Sequence, residues 1–271
     1  MLWKPPTPRQ KQQNEFWEAV ADNDVGKINA MLDADGTLIN DRLGCGGDPC
    51  TPIHVAAGFN GVVGDDLSAA KLLIERGADV NMKDTQYQRT PLHLSKNLNL
   101  SKLLVDNGAD VEAKNIFGQT PLNSLVSDIY SSIPQIDLLL EHGADINSQN
   151  SYGNTPIMWQ FLMLRRPDPR FKKKYEDTAR YLIKRGADVN IPNKDGETPL
   201  TYATGDLAKI VRQAAMKGTT ELVAKTPLKA FPGVSNVLSQ YMLPKKTGGT
   251  RRKKRTKKTR RSTRSKASGR A

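Results

Sequence analysis

The sequence predicts an all-α solenoid of about six stacked helical pairs, followed by a disordered basic tail. Three observations support this prediction. Thr-Pro followed by Leu or Ile recurs at Thr51, Thr90, Thr120, Thr155 and Thr198. Gly-Ala-Asp recurs at Gly77, Gly108, Gly143 and Gly186, and the two signatures alternate strictly along the chain. The third observation is a shift in charge, because residues 245–271 contain fourteen Lys and Arg but no Asp or Glu.

Each signature has a physical meaning at the end of a helix. Thr is a favourable N-cap because its hydroxyl accepts a hydrogen bond from the first helical turn, and Pro fits the next position, which needs no N–H. Gly readily takes the left-handed conformation that ends a helix. Each repeat is therefore predicted as a polar turn, a first helix that follows Thr-Pro, and a second helix that ends at Gly. One such pair cannot bury its apolar face alone, so the repeats must stack.

The residues around these signatures resemble the ankyrin-repeat family. "TPIHVAA" (Thr51–Ala57) and "TPLHLS" (Thr90–Ser95) match the family's helix-opening motif, and "LLIERGADVN" and "LLLEHGADIN" match its closing motif. Residues 15–40 resemble an N-terminal capping repeat, and residues 198–218 resemble a C-terminal one. The resemblance implies a scaffold that binds another protein and is not an enzyme.

The repeats divide the chain into four predicted segments. Residues 1–13 are expected to be a flexible N-terminal segment, and residues 14–218 form the repeat domain. Residues 219–244 are predicted to be a linker with a possible short helix, and residues 245–271 a disordered tail rich in Lys and Arg.

The repeats are irregular. The spacings from Thr to Gly are 26, 18, 23 and 31 residues, which predicts insertions in repeats two and five and a shortened repeat three. Insertions tend to project from a stack of repeats, and the largest one here is Arg165–Asp177. Pro49 and Gln88 stand where the other turns have Gly, so we expect the turns of repeats two and three to deviate.

The composition gives little support for catalysis or metal binding. The resemblance implies a structural role for His54 and His93, which are the fourth residues of their Thr-Pro motifs. His142 lies next to a helix stop, where a cation is favourable. Cys45 and Cys50 are interpreted as two free loop thiols, since neither has a recognisable activator. We therefore expect no catalytic residue, no metal ligand and no cofactor.

Aromatic residues recur at the turns. Tyr87, Phe117 and Tyr152 each stand three residues before the Thr of the following motif. Equivalent positions of stacked repeats align, so the three rings are predicted to form a ladder along one edge. Two interpretations stay open: each ring packs on the neighbouring turn, or the three rings anchor a protein partner.

The insertion in repeat five is basic. Its cations are Arg165, Arg166, Arg170, Lys172, Lys173 and Lys174. The insertion either extends a surface for anions or is a solvated loop, partly neutralised by Asp168, Glu176 and Asp177.

The tail carries essentially all of the excess charge. The whole chain has a net charge of +13, whereas the 244 residues before the tail have 27 basic and 28 acidic side chains. Its densest cations are Arg251, Arg252, Lys253, Lys254, Arg255, Lys257, Lys258, Arg260 and Arg261. Such a tail suits contact with the phosphates of nucleic acid, recognition by a nuclear import receptor, or both.

Two functions fit the whole sequence. The first is a protein-binding adaptor with a targeting or polyanion-binding tail, and the alternative is a protein packaged with nucleic acid, in which the repeats are mainly structural. We expect a monomer in the nucleus or cytoplasm, without a membrane-spanning segment or a signal peptide. The combination of irregular repeats with an Arg/Lys/Thr/Ser tail resembles proteins encoded by large DNA viruses.

Overall fold

The computed structural model describes residues 5–45, 48–58, 66–128, 132–165 and 168–225. Within these ranges the chain forms six successive helical pairs, which we number as repeats one to six. The pairs are α1 (Pro8–Ala21) and α2 (Val25–Ala34); α3 (Pro52–Ala56) and α4 (Ser68–Glu75); α5 (Pro91–Leu94) and α6 (Leu98–Asp106); α7 (Pro121–Ser127) and α8 (Ile133–Glu141); α9 (Pro156–Arg165) and α10 (Lys172–Lys184); and α11 (Pro199–Tyr202) and α12 (Gly205–Lys225). The predicted stack of about six helical pairs is confirmed.

The Thr-Pro signature begins each first helix as predicted. Thr120 is the N-cap of α7, where its side chain accepts a hydrogen bond from the backbone N–H of Asn123, and Pro121 is the first helical residue. The second helices of repeats two to five are each followed by a Gly with a positive φ, at Gly77, Gly108, Gly143 and Gly186. These glycines take the left-handed conformation that ends the helix.

The N-terminal segment is helical, so the prediction that residues 1–13 are flexible is wrong for its described part. Helix α1 begins at Pro8 with a capping box between Thr7 and Gln10. The Thr-Pro pair at Thr7 is the same start signal as in the later repeats. Arg9 fixes this helix to the end of repeat one through ion pairs with Asp35 and Asp41.

A short antiparallel hairpin joins repeats one and two. Strands β1 (Leu43–Cys45) and β2 (Asp48–Cys50) pair with Leu43 opposite Cys50 and Cys45 opposite Asp48. Cys50 is fully buried and disulfide-bonded, so the interpretation of both cysteines as free thiols is wrong. The hairpin folds β2 back along β1, the strand that carries the only other cysteine of the chain.

The core runs through the repeats as one continuous cluster of buried apolar side chains. The third residue of each Thr-Pro motif is buried in repeats two to five, and the members are Ile53, Leu92, Leu122 and Ile157. The second helices contribute Leu73, Leu104, Leu139 and Leu182. Each repeat therefore buries apolar surface against the neighbouring repeats, in addition to the surface buried between its own two helices.

The insertion in repeat five is partly helical. Arg165 is the last residue of α9 and residues 172–177 form the beginning of α10, so the described residues of the insertion outside the helices are 168–171. Tyr175, in the first turn of α10, is buried. The insertion in repeat two lies between α3 and α4, as predicted, but residues 59–65 lie outside the described ranges.

The repeat domain extends further than predicted at its C-terminus. Helix α12 continues through Gly218 to Lys225, because no Gly-Ala-Asp stop occurs in this repeat. The chain divides into a compact body, Met1–Leu222, and a second body, Val223–Ala271. Among the described helices, none is both long and apolar enough to cross a membrane.

Candidate functional site

Each of the turns that precede repeats three to six is built around one buried side-chain oxygen. In repeat four, Oδ1 of Asn115 accepts hydrogen bonds from the backbone N–H groups of Phe117 (2.9 Å) and Gln119 (3.0 Å). Asn150 and Asn193 hold the next two turns in the same way. These oxygens fix the tips of the turns, which carry the predicted aromatic residues.

The tips of successive turns are joined by backbone hydrogen bonds. The N–H of Ile116 donates to the carbonyl of Tyr87 (2.9 Å), that of Ser151 to Phe117 (2.8 Å), and that of Lys194 to Tyr152 (3.0 Å). The predicted alignment of Tyr87, Phe117 and Tyr152 is therefore present in the backbone.

The three rings have different surroundings. The rings of Tyr87 and Phe117 stack, with centroids 6.0 Å apart and an interplanar angle of 29°. Phe117 is still 39% exposed, and Tyr152 is 62% exposed. Ile116 is also exposed at 52%, which the sequence reasoning missed because the position has no motif of its own. We call Tyr87, Ile116, Phe117 and Tyr152 the hairpin edge.

Repeat three replaces the turn asparagine with a charged residue. Asp84 is fully buried and accepts from the N–H groups of Tyr87 (2.9 Å) and Arg89 (3.1 Å) and from Nε of Arg89 (2.7 Å). Burial alone would raise the pKa of Asp84, but the hydrogen bonds from Arg89 and Tyr87 outweigh it, so the pKa lies below its ordinary value. The Arg89 guanidinium lies 4.7 Å from the centre of the Tyr87 ring.

A groove lies between the hairpin edge and the first helices of repeats three and four. Its cavity volume is about 510 Å³. The turns contribute Tyr87, Arg89, Phe117 and Gln119, and α7 contributes Ser124 and Leu125. Lys96 and Asp128, with Nζ and Oδ2 3.9 Å apart, add one charge of each sign. The groove is therefore mixed in character: Tyr87, Leu94, Phe117 and Leu125 give it aromatic and apolar surface, and most of the other lining residues are polar or charged.

Two family models match the chain. One described as ankyrin repeats (3 copies) matches residues 16–115, and one described as ankyrin repeats (many copies) matches residues 170–207. Together they cover about half of the chain. The chain belongs to the ankyrin-repeat family. No curated protein matches the sequence.

The ankyrin repeats continue through the region that neither family model covers. Residues 116–169 contain α7, α8 and α9, which have the same order and the same turns as the other repeats. One departure from the family's pattern is Asn123, which stands where repeats two and three have His.

The histidines of the ankyrin motif bind the turns that border the groove. In repeat three, Nδ1 of His93 accepts from the backbone N–H of Thr90 (3.1 Å), so the ring proton lies on Nε2, which donates to the carbonyl of Gln119 (3.0 Å). His54 bonds in the same way to Thr51 and to the carbonyl of Arg89. The predicted structural role of both histidines is confirmed.

Both histidines are held in the neutral form. Burial lowers the pKa of His93 to about 4, although its hydrogen bond to Gln119 acts in the opposite direction. Burial likewise lowers the pKa of His54. His142, which was predicted at a helix stop, lies at the C-cap of α8, where its Nδ1 lies 2.8 Å from the carbonyl oxygen of Leu138.

The first helices of repeats five and six carry large aromatic residues that the sequence reasoning did not single out. Trp159 on α9 is partly exposed, and so is Tyr202 on α11. Tyr202 donates its hydroxyl hydrogen to Glu197 (2.5 Å), and the Arg165 guanidinium lies 5.6 Å from the centre of the Tyr202 ring. The signal was available, since both residues are the fifth of their Thr-Pro motifs.

The basic residues of repeat five are largely engaged by neighbours. Arg170 makes an ion pair with Asp168 (2.7 Å), and Lys172 lies 4.0 Å from Glu176. Lys174 is partly buried and donates to the backbone carbonyl of Asp128. Burial lowers the pKa of Lys174. These contacts favour the interpretation of a locally neutralised segment over an anion-binding surface.

The tail and the possible helix of the linker lie outside the described residues. The structure therefore does not test a role for Arg251, Arg252, Lys253, Lys254, Arg255 or the later cations. Within the described ranges, no group of three or more His, Cys, Asp or Glu side chains is arranged to hold a metal ion.

Proposed function

We propose that the ankyrin repeats form a non-enzymatic module that binds a partner protein along the hairpin edge and the adjoining groove. The observation that carries this proposal is the groove itself, with its volume of about 510 Å³ and its wall of stacked Tyr87 and Phe117. Ankyrin repeats are generally modules of protein–protein interaction, so the family supports the same conclusion.

The exposure of the hairpin edge supports the role of its residues as anchors. Tyr152 and Ile116 are more than half exposed, although both have large apolar side chains. Aromatic residues contribute much of the binding energy at protein interfaces, because they bury a large area at a small cost in side-chain entropy. Tyr87 and Phe117 stack on each other and also line the groove, which supports a role as anchors alongside the packing role.

Alanine variants test the proposal. The full-length protein and the triple variant Tyr87→Ala, Phe117→Ala, Tyr152→Ala would be used to capture partners from cells, with quantification by mass spectrometry. The triple variant is expected to lose the partners that the wild type captures. Tyr152→Ala alone is expected to weaken capture with almost no change in the melting temperature, since its ring is exposed.

Leu98→Ala is the matched control, because Leu98 is an exposed apolar residue on α6 and does not line the groove. It should leave capture unchanged. Undiminished capture by the triple variant would contradict the proposal.

We further propose that the tail acts on polyanions, on nuclear import receptors or on both, and that the protein works in the nucleus or cytoplasm. The supporting observation is the sequence alone, with fourteen cations and no acidic residue in residues 245–271. The absence of aromatic residues from this segment favours contact with phosphates over stacking on bases. The same observation supports the alternative function, a protein packaged with nucleic acid.

A chain that ends at Met242 separates these functions. Truncation is expected to abolish salt-dependent binding to a DNA duplex and nuclear accumulation, and to leave partner capture by the repeats intact. If nucleic-acid binding is lost and no protein partner is captured by either chain, the packaging function is favoured. If truncation changes neither nucleic-acid binding nor location, the tail proposal is wrong.

A further inference from the structure

Repeat three has a short first helix, and this explains where the groove lies. Helix α5 has four residues, whereas α7 and α9, which begin at the same motif position, have seven and ten. Because α5 and α7 pack against each other, the last turn of α7 extends past the end of α5. Ser127 and Asp128 at that end of α7 line the groove, together with Ser95 and Lys96, which follow α5. The groove therefore occupies the space that a longer first helix in repeat three would fill.

The short helix also places a lysine where other repeats have a buried apolar residue. The sixth residue after the motif Thr is Ala57 in repeat two, Val126 in repeat four and Phe161 in repeat five, and each is buried. In repeat three this residue is Lys96, whose side chain is 43% exposed. Its Nζ lies 3.9 Å from Oδ2 of Asp128, which is too long for a hydrogen bond. The ammonium of Lys96 therefore has N–H groups that can donate to a ligand.

Two more donors line the same groove. Oε1 of Gln119 accepts from Nδ2 of Asn115 (3.1 Å), which leaves the NH₂ group of the Gln119 amide for other partners. Gln119 and Ser124 are both partly exposed, and the hydroxyl of Ser124 can donate as well. Oδ1 of Asn115, in contrast, already accepts from two backbone N–H groups. The side chains of the groove therefore offer a ligand mainly hydrogen-bond donors.

We propose that the groove binds a segment of the partner protein in which an acidic residue lies next to a large apolar one. The carboxylate pairs with the ammonium of Lys96, and the apolar side chain packs against the rings of Tyr87 and Phe117. This inference rests on the proposed function and specifies the chemistry of the partner.

The charges of the groove favour a carboxylate over a basic side chain. The cations are Arg89 and Lys96, and Arg89 is already paired with the buried Asp84. Asp128 is the anion of the groove, and it lies beside Lys96 while Lys174 donates to its backbone carbonyl. A basic side chain of a partner would therefore meet like charges. A carboxylate accepts hydrogen bonds and donates none, which complements a wall of donors.

The test begins with full-length protein and a phage-displayed library of random twelve-residue peptides. Phage that bind a synthetic peptide of residues 245–271 are removed first, because the basic tail itself attracts acidic peptides. The peptides that the full-length protein then selects are expected to contain an Asp or Glu beside a large apolar residue.

A comparison of two peptides and two proteins then measures the contact with Lys96. One selected peptide, and an amide form in which Asn or Gln replaces its acidic residue, are titrated into the wild type and Lys96→Gln. The variant is expected to bind the acidic peptide roughly three- to ten-fold more weakly and the amide form as the wild type does. The tail is present in both proteins, so its attraction for the peptide cancels.

Lys102→Gln is the matched control, because Lys102 is an exposed lysine on α6 that does not line the groove. It should bind both peptides like the wild type. Lys96→Arg keeps the positive charge and is expected to restore most of the affinity. The melting temperature of each variant shows that it is folded.

Three results would overturn the inference: a library that yields no binder, selected peptides without an acidic residue, or equal affinity of the wild type and Lys96→Gln for the acidic peptide. The proposed function can fail separately. If the triple alanine variant of the hairpin edge loses the peptide and Lys96→Gln keeps it, the inference is wrong and the proposed function stands. If Lys96→Gln weakens binding and the triple variant does not, the acidic contact is confirmed and the hairpin edge is not the binding surface.

Discussion

At the scale of single residues, the repeats use two side chains for the same structural task. In repeat four, Oδ1 of Asn123 accepts from the backbone N–H of Thr120 (3.0 Å), and its Nδ2 donates to the carbonyl of Ser148 (3.3 Å). His93 joins Thr90 to the carbonyl of Gln119 in the same manner. Only the histidine can also take up a proton, so the two repeats differ in their response to acid.

The first prediction concerns the pH dependence of stability. Burial lowers the pKa of His93 from an ordinary 6.5 to about 4, so between these values the unfolded chain binds a proton that the folded chain does not. The contribution of His93 to the free energy of unfolding is therefore constant above pH 6.5, and it decreases as the pH falls toward 4. The loss from His93 is on the order of 3 kcal/mol. Urea unfolding from pH 7.5 to 4.5 measures it.

Asparagine variants are the controls for this prediction. His54→Asn with His93→Asn is expected to flatten the pH profile between 6.5 and 4, because Asn123 shows that an amide can make the same two bonds. If the double variant loses as much stability with falling pH as the wild type, carboxylates and not these histidines cause the acid sensitivity.

At the scale of elements, the turns show which residues allow the turns of neighbouring repeats to lie close together. The expected deviation in repeat three is not found at Gln88, which takes the left-handed conformation (φ 55°) that Gly118 takes in the next turn. Its Nε2 donates to the carbonyl of Asp84 (3.1 Å), which stabilises the turn. At Gly118 and Gly153, by contrast, a glycine also leaves room for the following turn, because a Cβ there would lie 2.8 Å from Oγ of Ser151 or from the backbone nitrogen of Lys194.

The second prediction separates these two roles of glycine. Gly153 and Gly196 have almost the same φ, 77° and 78°. A Cβ on Gly153 would lie 2.8 Å from the backbone nitrogen of Lys194, whereas a Cβ on Gly196 would meet nothing within 4 Å. We expect Gly196→Ala to cost about 1–2 kcal/mol for the left-handed backbone alone. Gly153→Ala is expected to cost a further 1–3 kcal/mol because the next turn must shift.

Chemical denaturation of both variants, followed by circular dichroism, measures the difference. Equal losses would mean that the turns separate easily and that the backbone bond between Tyr152 and Lys194 contributes little.

The elements also differ in how well the sequence predicts them. The Thr-Pro and Gly-Ala-Asp signatures locate the repeats because both act locally, through a cap and a left-handed residue. The beginning of α10 within Arg165–Asp177 was missed because the segment contains two prolines and many charges, and because the burial of Tyr175 is not visible in a local pattern. The exposure of Ile116 was missed because it depends on how the turns of neighbouring repeats meet, which no local pattern encodes.

At the scale of the whole molecule, stability comes from the contacts between neighbouring repeats. The third residue of the Thr-Pro motif is buried in repeats two to five, but Leu200 in repeat six is 40% exposed. No further helical pair follows repeat six among the described residues. The same motif position therefore contributes differently according to whether another repeat covers it.

The third prediction compares two leucines at that position. Leu122 in repeat four is fully buried, so Leu122→Ala is expected to reduce the free energy of unfolding by about 2–5 kcal/mol. Leu200→Ala removes the same atoms from a half-exposed site and is expected to cost about 1 kcal/mol or less. Guanidinium unfolding of the two variants measures both losses. A loss at Leu200 as large as that at Leu122 would mean that the stack gains its stability within each repeat and not from its neighbours.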